Sequence, residues 1–142
     1  MSSIPELAGG RFFSPPMAVG TTTISASDFT QSSSDDALTS STNCILKMNP
    51  TSIAGQKQVQ GAILLVSANA GNDDLIMPPV GQCNGMILYI VNKTANEIDV
   101  KFINSSGVIA ELVEGTSQVG SNEIATCLCD GSNWYVSVGT LT

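Results

Sequence analysis

Histidine is absent from the 142 residues. Its absence removes the commonest general base, the Ser-His and Cys-His nucleophile systems and the usual switch near neutral pH. Most hydrolase mechanisms lose their centre, and an enzyme is not expected. Charge is scarce as well: Asp, Glu, Lys and Arg make up 12% of the chain, against roughly a quarter in ordinary globular proteins. The five basic residues, Arg11, Lys47, Lys57, Lys93 and Lys101, are scattered, and the net charge is −7. No basic patch can replace counterions along a phosphate backbone, so nucleic acid is not an expected partner. The sequence has no apolar run of about 18 residues and no basic segment leading into an apolar one at its start, so neither a membrane partner nor secretion is expected.

Cysteine occurs four times, at 44, 83, 127 and 129, without a Cys-x-x-Cys pair. No standard zinc set can be assembled, and no metal or cofactor is expected. On a strand, Cys127 and Cys129 face the same side about 7 Å apart, beyond easy disulfide reach. All four read as small buried thiols. Aromatic residues are few: Trp134, Tyr89, Tyr135 and four Phe. A sugar-stacking platform has little material to be built from. Two acidic pairs, Asp35-Asp36 and Asp73-Asp74, put neighbouring carboxylates on opposite sides of extended chain, which suits solvated turns better than acid–base chemistry.

What is present is turn chemistry between short apolar runs. GAILLVSA (61–68), DLIMPP (74–79), NGMILYIVN (84–92), EIDVKFIN (97–104), VIAELV (108–113), ATCLC (125–129) and NWYVSVG (133–139) read as seven strands separated by Gly, Asn, Asp and Ser. In EIDVKFIN, alternation places Ile98, Val100 and Phe102 inward. Asp130-Gly131 is a turn signal that joins the last two strands into a hairpin, with Trp134, Val136 and Val138 on one face and Tyr135 and Ser137 on the other. Trp134 is read as a core plug, and Tyr89 joins the expected core with Ile98, Val100, Phe102, Trp134 and Val136. The expected fold is all-β, an antiparallel β-sandwich or jelly-roll-like barrel.

Residues 1–56 differ in composition. Thirteen of the 22 positions from Thr21 to Thr42 are Ser or Thr, too few apolar groups to build a core alone. Upstream, Pro15-Pro16 and Phe12-Phe13 suggest extended chain with an aromatic anchor. The division expected from composition is therefore an extended N-terminal arm over 1–56 and a β-sandwich domain over 57–142, with helix limited to one turn near 34–39. Arg11, Phe12, Phe13, Pro15 and Pro16 are the candidate partner-binding residues of that arm.

A longer pattern bears on function. Leu75 to Pro78, Asn84-Gly85 before the strand Tyr89 to Asn92, the strand Ile98 to Val100, and Asp130-Gly131 followed by Trp134 together resemble a module of tailed-bacteriophage virion proteins, notably capsid decoration (cement) proteins and virion fibre β-sandwiches. The resemblance covers about the second half of the chain, and its motifs are turns and core positions. Cys127, Cys129 and the arm depart from it. It implies a non-enzymatic virion structural protein on the capsid surface, made in the host bacterial cytoplasm, that forms a homotrimer and binds the major capsid protein through its arm. The alternative it leaves open is a head-fibre or tail-fibre knob that binds a receptor or glycan. A small trimeric hydrolase is the third reading, opposed by the missing histidine.

Overall fold

Burial alternates along Thr21–Ile24, Ile63–Val66, Ile87–Asn92, Ile98–Phe102 and Trp134–Thr140 and is continuous along Asn43–Lys47 and Asp73–Met77, in two sheets whose inner faces meet. A computed structural model describes residues 19–30, 42–68, 73–108 and 111–141. Twelve strands are present among them: β1 (Thr21–Ile24), β2 (Asn43–Lys47), β3 (Gln56–Gln58), β4 (Ile63–Val66), β5 (Asp73–Met77), β6 (Ile87–Asn92), β7 (Ile98–Phe102), β8 (Glu111–Leu112), β9 (Glu114–Gly115), β10 (Gln118–Val119), β11 (Glu123–Cys129) and β12 (Trp134–Thr140). The first sheet runs β1-β4-β6-β11-β12-β9 and the second β10-β7-β5-β2-β3, with β8 also beside β7. Only two short 3-10 turns, Ala26–Asp28 and Val80–Gln82, interrupt the β structure of the described residues.

The all-β architecture of two packed sheets is as expected; six of the seven strands read from the sequence are present, and of the seventh, 108–113, the described strand is the two-residue β8. Strand direction is mixed rather than antiparallel throughout. β1, β4 and β6 are parallel neighbours in the first sheet, and β2, β5 and β7 are parallel neighbours in the second. The chain alternates between sheets as it passes from β1 to β2, from β4 to β5 and from β6 to β7. Each coil therefore lies beside the one before it. Parallel neighbours need a crossover between them, and here the strand in the opposite sheet is that crossover. Links such as 93–97 span the gap between sheets instead of reversing within one. From β11 onward the pairing follows the expected hairpin, with Cys129 opposite Trp134 and Cys127 opposite Val136.

A boundary at 56/57 does not divide the described residues. Ile24 of β1, Phe29, and Cys44 and Leu46 of β2 lie in the same core as Leu64, Leu75, Leu88, Val100 and Trp134. β1 forms an edge of the first sheet, while β2 is interior to the second, between β5 and β3. The Thr-rich sequence of β1 is accommodated because its inward polar group is satisfied: the Thr22 hydroxyl donates to Gly61 O and accepts from the backbone N–H groups of Gln60 and Gly61. Gly61 permits that approach, since a Cβ there would sit 2.2 Å from the carbonyl carbon of Gly20. The one-turn helix expected near 34–39 lies outside the described residues.

Candidate functional site

Two constellations stand out, one internal and one on the surface. The internal one links the motifs singled out in the sequence. Trp134 is fully buried, and its indole N–H donates to Pro78 O at 2.9 Å. The Leu-x-x-Pro segment and the Asp-Gly-x-x-Trp segment are thus bonded directly across the core. The two glycine turns also meet. Gly85 N donates to Cys129 O at 2.8 Å, and the Asn84 side chain lies against Gly131. Both glycines have positive φ, +84° and +90°, the conformation for which glycine is favoured. Asn92 closes the opposite end: its side-chain amide donates to Asn96 O, Val119 O and Gly120 O, while its oxygen accepts from the N–H and hydroxyl of Thr94. These bonds satisfy buried backbone groups, and their work is structural.

Ile98, Val100, Phe102, Trp134 and Val136 occupy the core as expected. Tyr89 does not. It is 40% exposed, on the outer face of the first sheet, because Leu88 and Ile90 take the inward phase of β6. Asp73 and Asp74 also depart from the expected solvated turn: both are buried on β5. The Thr42 hydroxyl donates to Asp73, and Lys101 Nζ pairs with Asp74 at 3.0 Å. Arg11, Phe12, Phe13, Pro15, Pro16, Asp35 and Asp36 lie outside the described residues. All four cysteines are free and buried. Burial pushes the Cys44, Cys83 and Cys127 thiols up to about 12, and it raises Cys129 as well. Among the described residues no group of three or more Cys, Asp or Glu is arranged to hold a metal.

The surface constellation is the outer face of the first sheet. Register places Thr21, Ile63, Tyr89, Thr126 and Ser137 side by side across five strands. The adjacent row is Thr23, Leu65, Val91, Ile124 and Gly139. Towards the other end Ile87, Leu128, Tyr135 and Glu114 follow one another. Ile63, Leu65, Ile87, Tyr89, Leu128 and Tyr135 are each 40 to 47% exposed. Glu114, on the margin strand β9, is the one charged residue in these three rows. Two shallow hollows mark the face: one of about 450 Å³ between Val19, Ile63, Tyr89 and Ile124, and one of about 380 Å³ beside Leu128, Tyr135 and Glu114. At the rim the Tyr135 hydroxyl donates to the Asp130 carboxylate at 2.7 Å, which raises the Tyr135 pKa. The Asn133 N–H, followed by that hydroxyl and the Ser132 N–H, holds Asp130 below its ordinary value.

A third region, a polar groove of about 480 Å³ between β1 and β3, is lined by Thr21, Thr23, Thr51, Gln56, Lys57 and Gln60. Its cation is already engaged, with Lys57 Nζ 3.3 Å from Asp28 Oδ2. Burial works against ionisation of Asp28, but bonds from the Ser25 N–H and hydroxyl and from Lys57 outweigh it and lower the pKa. The groove offers hydroxyls and amides without a second carboxylate for acid–base work.

The exposed sheet face went unread in the sequence, although a signal exists. In the runs around β4 and β6 both alternation phases are apolar, which reads as a strand buried on both sides. The absence of charged residues at the outward positions of β4, β6, β11 and β12 is what singles out this face. Comparison of the chain with protein-family models, with curated proteins and with solved structures finds no match.

Proposed function

We propose that this chain is a non-enzymatic structural protein that acts by becoming part of a larger assembly, and that the assembly is a tailed-phage virion, where it serves as a capsid decoration protein. The observation that carries the assembly reading is the uncharged apolar face of β4, β6, β11 and β12. Six large apolar side chains standing half-exposed together amount to a patch on the order of 500 Å², at the upper end of what a solitary soluble protein exposes. Such a face is costly in water and is stabilised when covered. The virion setting rests on the turn and core motifs from Leu75 to Trp134 that resemble the virion module. The missing histidine opposes the hydrolase reading.

Co-sedimentation with undecorated shells of the phage that encodes the chain tests this reading. Binding that saturates at a fixed ratio to the shell subunit is the expected result. A chain that stays in the supernatant at every concentration would remove the decoration role.

A further inference from the structure

We infer that the outer face of the first sheet is covered by the same face of a second copy of this chain. The inference rests on the reading of that face as an assembly surface and names its occupant. Charge is the first argument. The chain carries 12 acidic against 5 basic residues, so two copies repel wherever their acidic surfaces meet. The rows through Ile63, Tyr89 and Leu128 carry no charge inside the margin set by Glu114 at one edge and Asp130 at the end of β11. Here a like-charged copy can approach without setting carboxylate against carboxylate. A basic partner would find nothing on this face to attract it, whereas a second copy brings a matching apolar surface.

Size is the second argument. Six strands about 4.8 Å apart, of four to seven residues over most of the sheet, present a face of about 24 Å by about 15 to 20 Å. In plan that is about 360 to 480 Å², roughly half of the about 800 Å² per partner of a standard specific interface, which places the dimer at the weak end of that class. Two sheets pack face to face about 10 Å apart with strands offset by about 30°. A two-fold axis along the strands between β6 and β11 sets the β4–β6 half of one copy against the β11–β12 half of the other. Tyr89 and Leu128 then fall near the centre, where an aromatic anchor contributes most. A face paired with itself closes after two copies, so the species is a dimer and not the trimer that the resemblance implies.

Sedimentation equilibrium of the full chain from about 1 to 100 μM, the range that resolves an ordinary specific dimer, decides the matter. The expected mass is twice 14.7 kDa, falling to one chain when Tyr89→Lys and Leu128→Lys are combined. Both side chains stand on the solvent side, so the variant should keep the wild-type Trp134 emission and urea midpoint. Should the double variant fail that check, the single Leu65→Lys variant takes its place, with at least a tenfold weaker dimer expected. Ile53→Lys, on an exposed residue just before β3 of the second sheet, should leave the dimer unchanged. A monomer at 100 μM, a trimer, or a dimer that tolerates the lysines would each overturn the inference. Shell binding by a strictly monomeric chain would leave the decoration role standing, and a dimer that ignores shells would do the reverse.

Discussion

At the residue scale the buried polar and titratable groups set the measurable behaviour. Trp134 fills the core and also satisfies Pro78 O. Trp134→Phe removes the donor and part of the volume, leaving a buried acceptor unpaired, and should cost on the order of 2 kcal/mol by urea unfolding. The thiols give a pH dependence of defined sign. Cys44, Cys83 and Cys127 stay protonated to about pH 12 in the fold, whereas in the unfolded chain they ionise near their ordinary value of 9.0. Between those values the folded state holds more protons, so the thiol contribution is fully present below pH 9 and is lost as pH rises towards 12. Stability should therefore fall on the alkaline side of pH 9, and replacing Cys127 with Ala should flatten that fall. In the native protein at pH 8 all four thiols should resist a thiol reagent until denaturant is added. Tyr89 marks where residue-level reading failed. Tyr89, on a strand apolar in both phases, is expected in the core, but the packed interior takes Leu88 and Ile90.

At the element scale, turns and the closing hairpin were legible because their chemistry is local. Asp130-Gly131 fixes the β11–β12 register, and Trp134, Val136 and Cys127 follow from alternation. The coils of β1, β4 and β6 were not legible, since nothing in a short Gly- and Asn-rich link distinguishes a reversal within one sheet from a passage to the other. β1 was hidden by composition: it contributes only Ile24 and the bonded Thr22 to the interior, and the rest of its worth is backbone pairing with β4. β2 was hidden by its neighbours, although Cys44 to Leu46 is a buried apolar run. This relocates any useful truncation. Removing residues 1–56 deletes β1, one of the two strands that flank β4, and the interior strand β2, so that fragment should lack cooperative unfolding by circular dichroism. A chain beginning at residue 19 keeps every described strand and should unfold cooperatively. Wild-type cooperativity in the 57–142 fragment would show that the coils are dispensable and contradict this view of the fold.

At the scale of the whole molecule, acidic groups and an uncharged face are separated. The outward positions of β4, β6, β11 and β12 carry no charge, with Glu123 in the inward phase of β11 and Glu114 and Asp130 at the margin, while the second sheet holds its ion pair, Asp74 with Lys101, largely buried. On the proposed reading, the net charge opposes non-specific association and the neutral side is the one that joins an assembly. The candidate surface was less legible than the core, because a sequence alone does not say which of two apolar phases will lack a covering layer. On the proposed reading this face is covered in the working state. Hydroxyl-radical footprinting of shell-bound chain, set against chain diluted until monomeric, tests it most directly. Tyr89 and Leu128 should be oxidised several-fold more slowly on the shell, with Ile53 unchanged. Equal oxidation of Tyr89 in the two states would contradict the account.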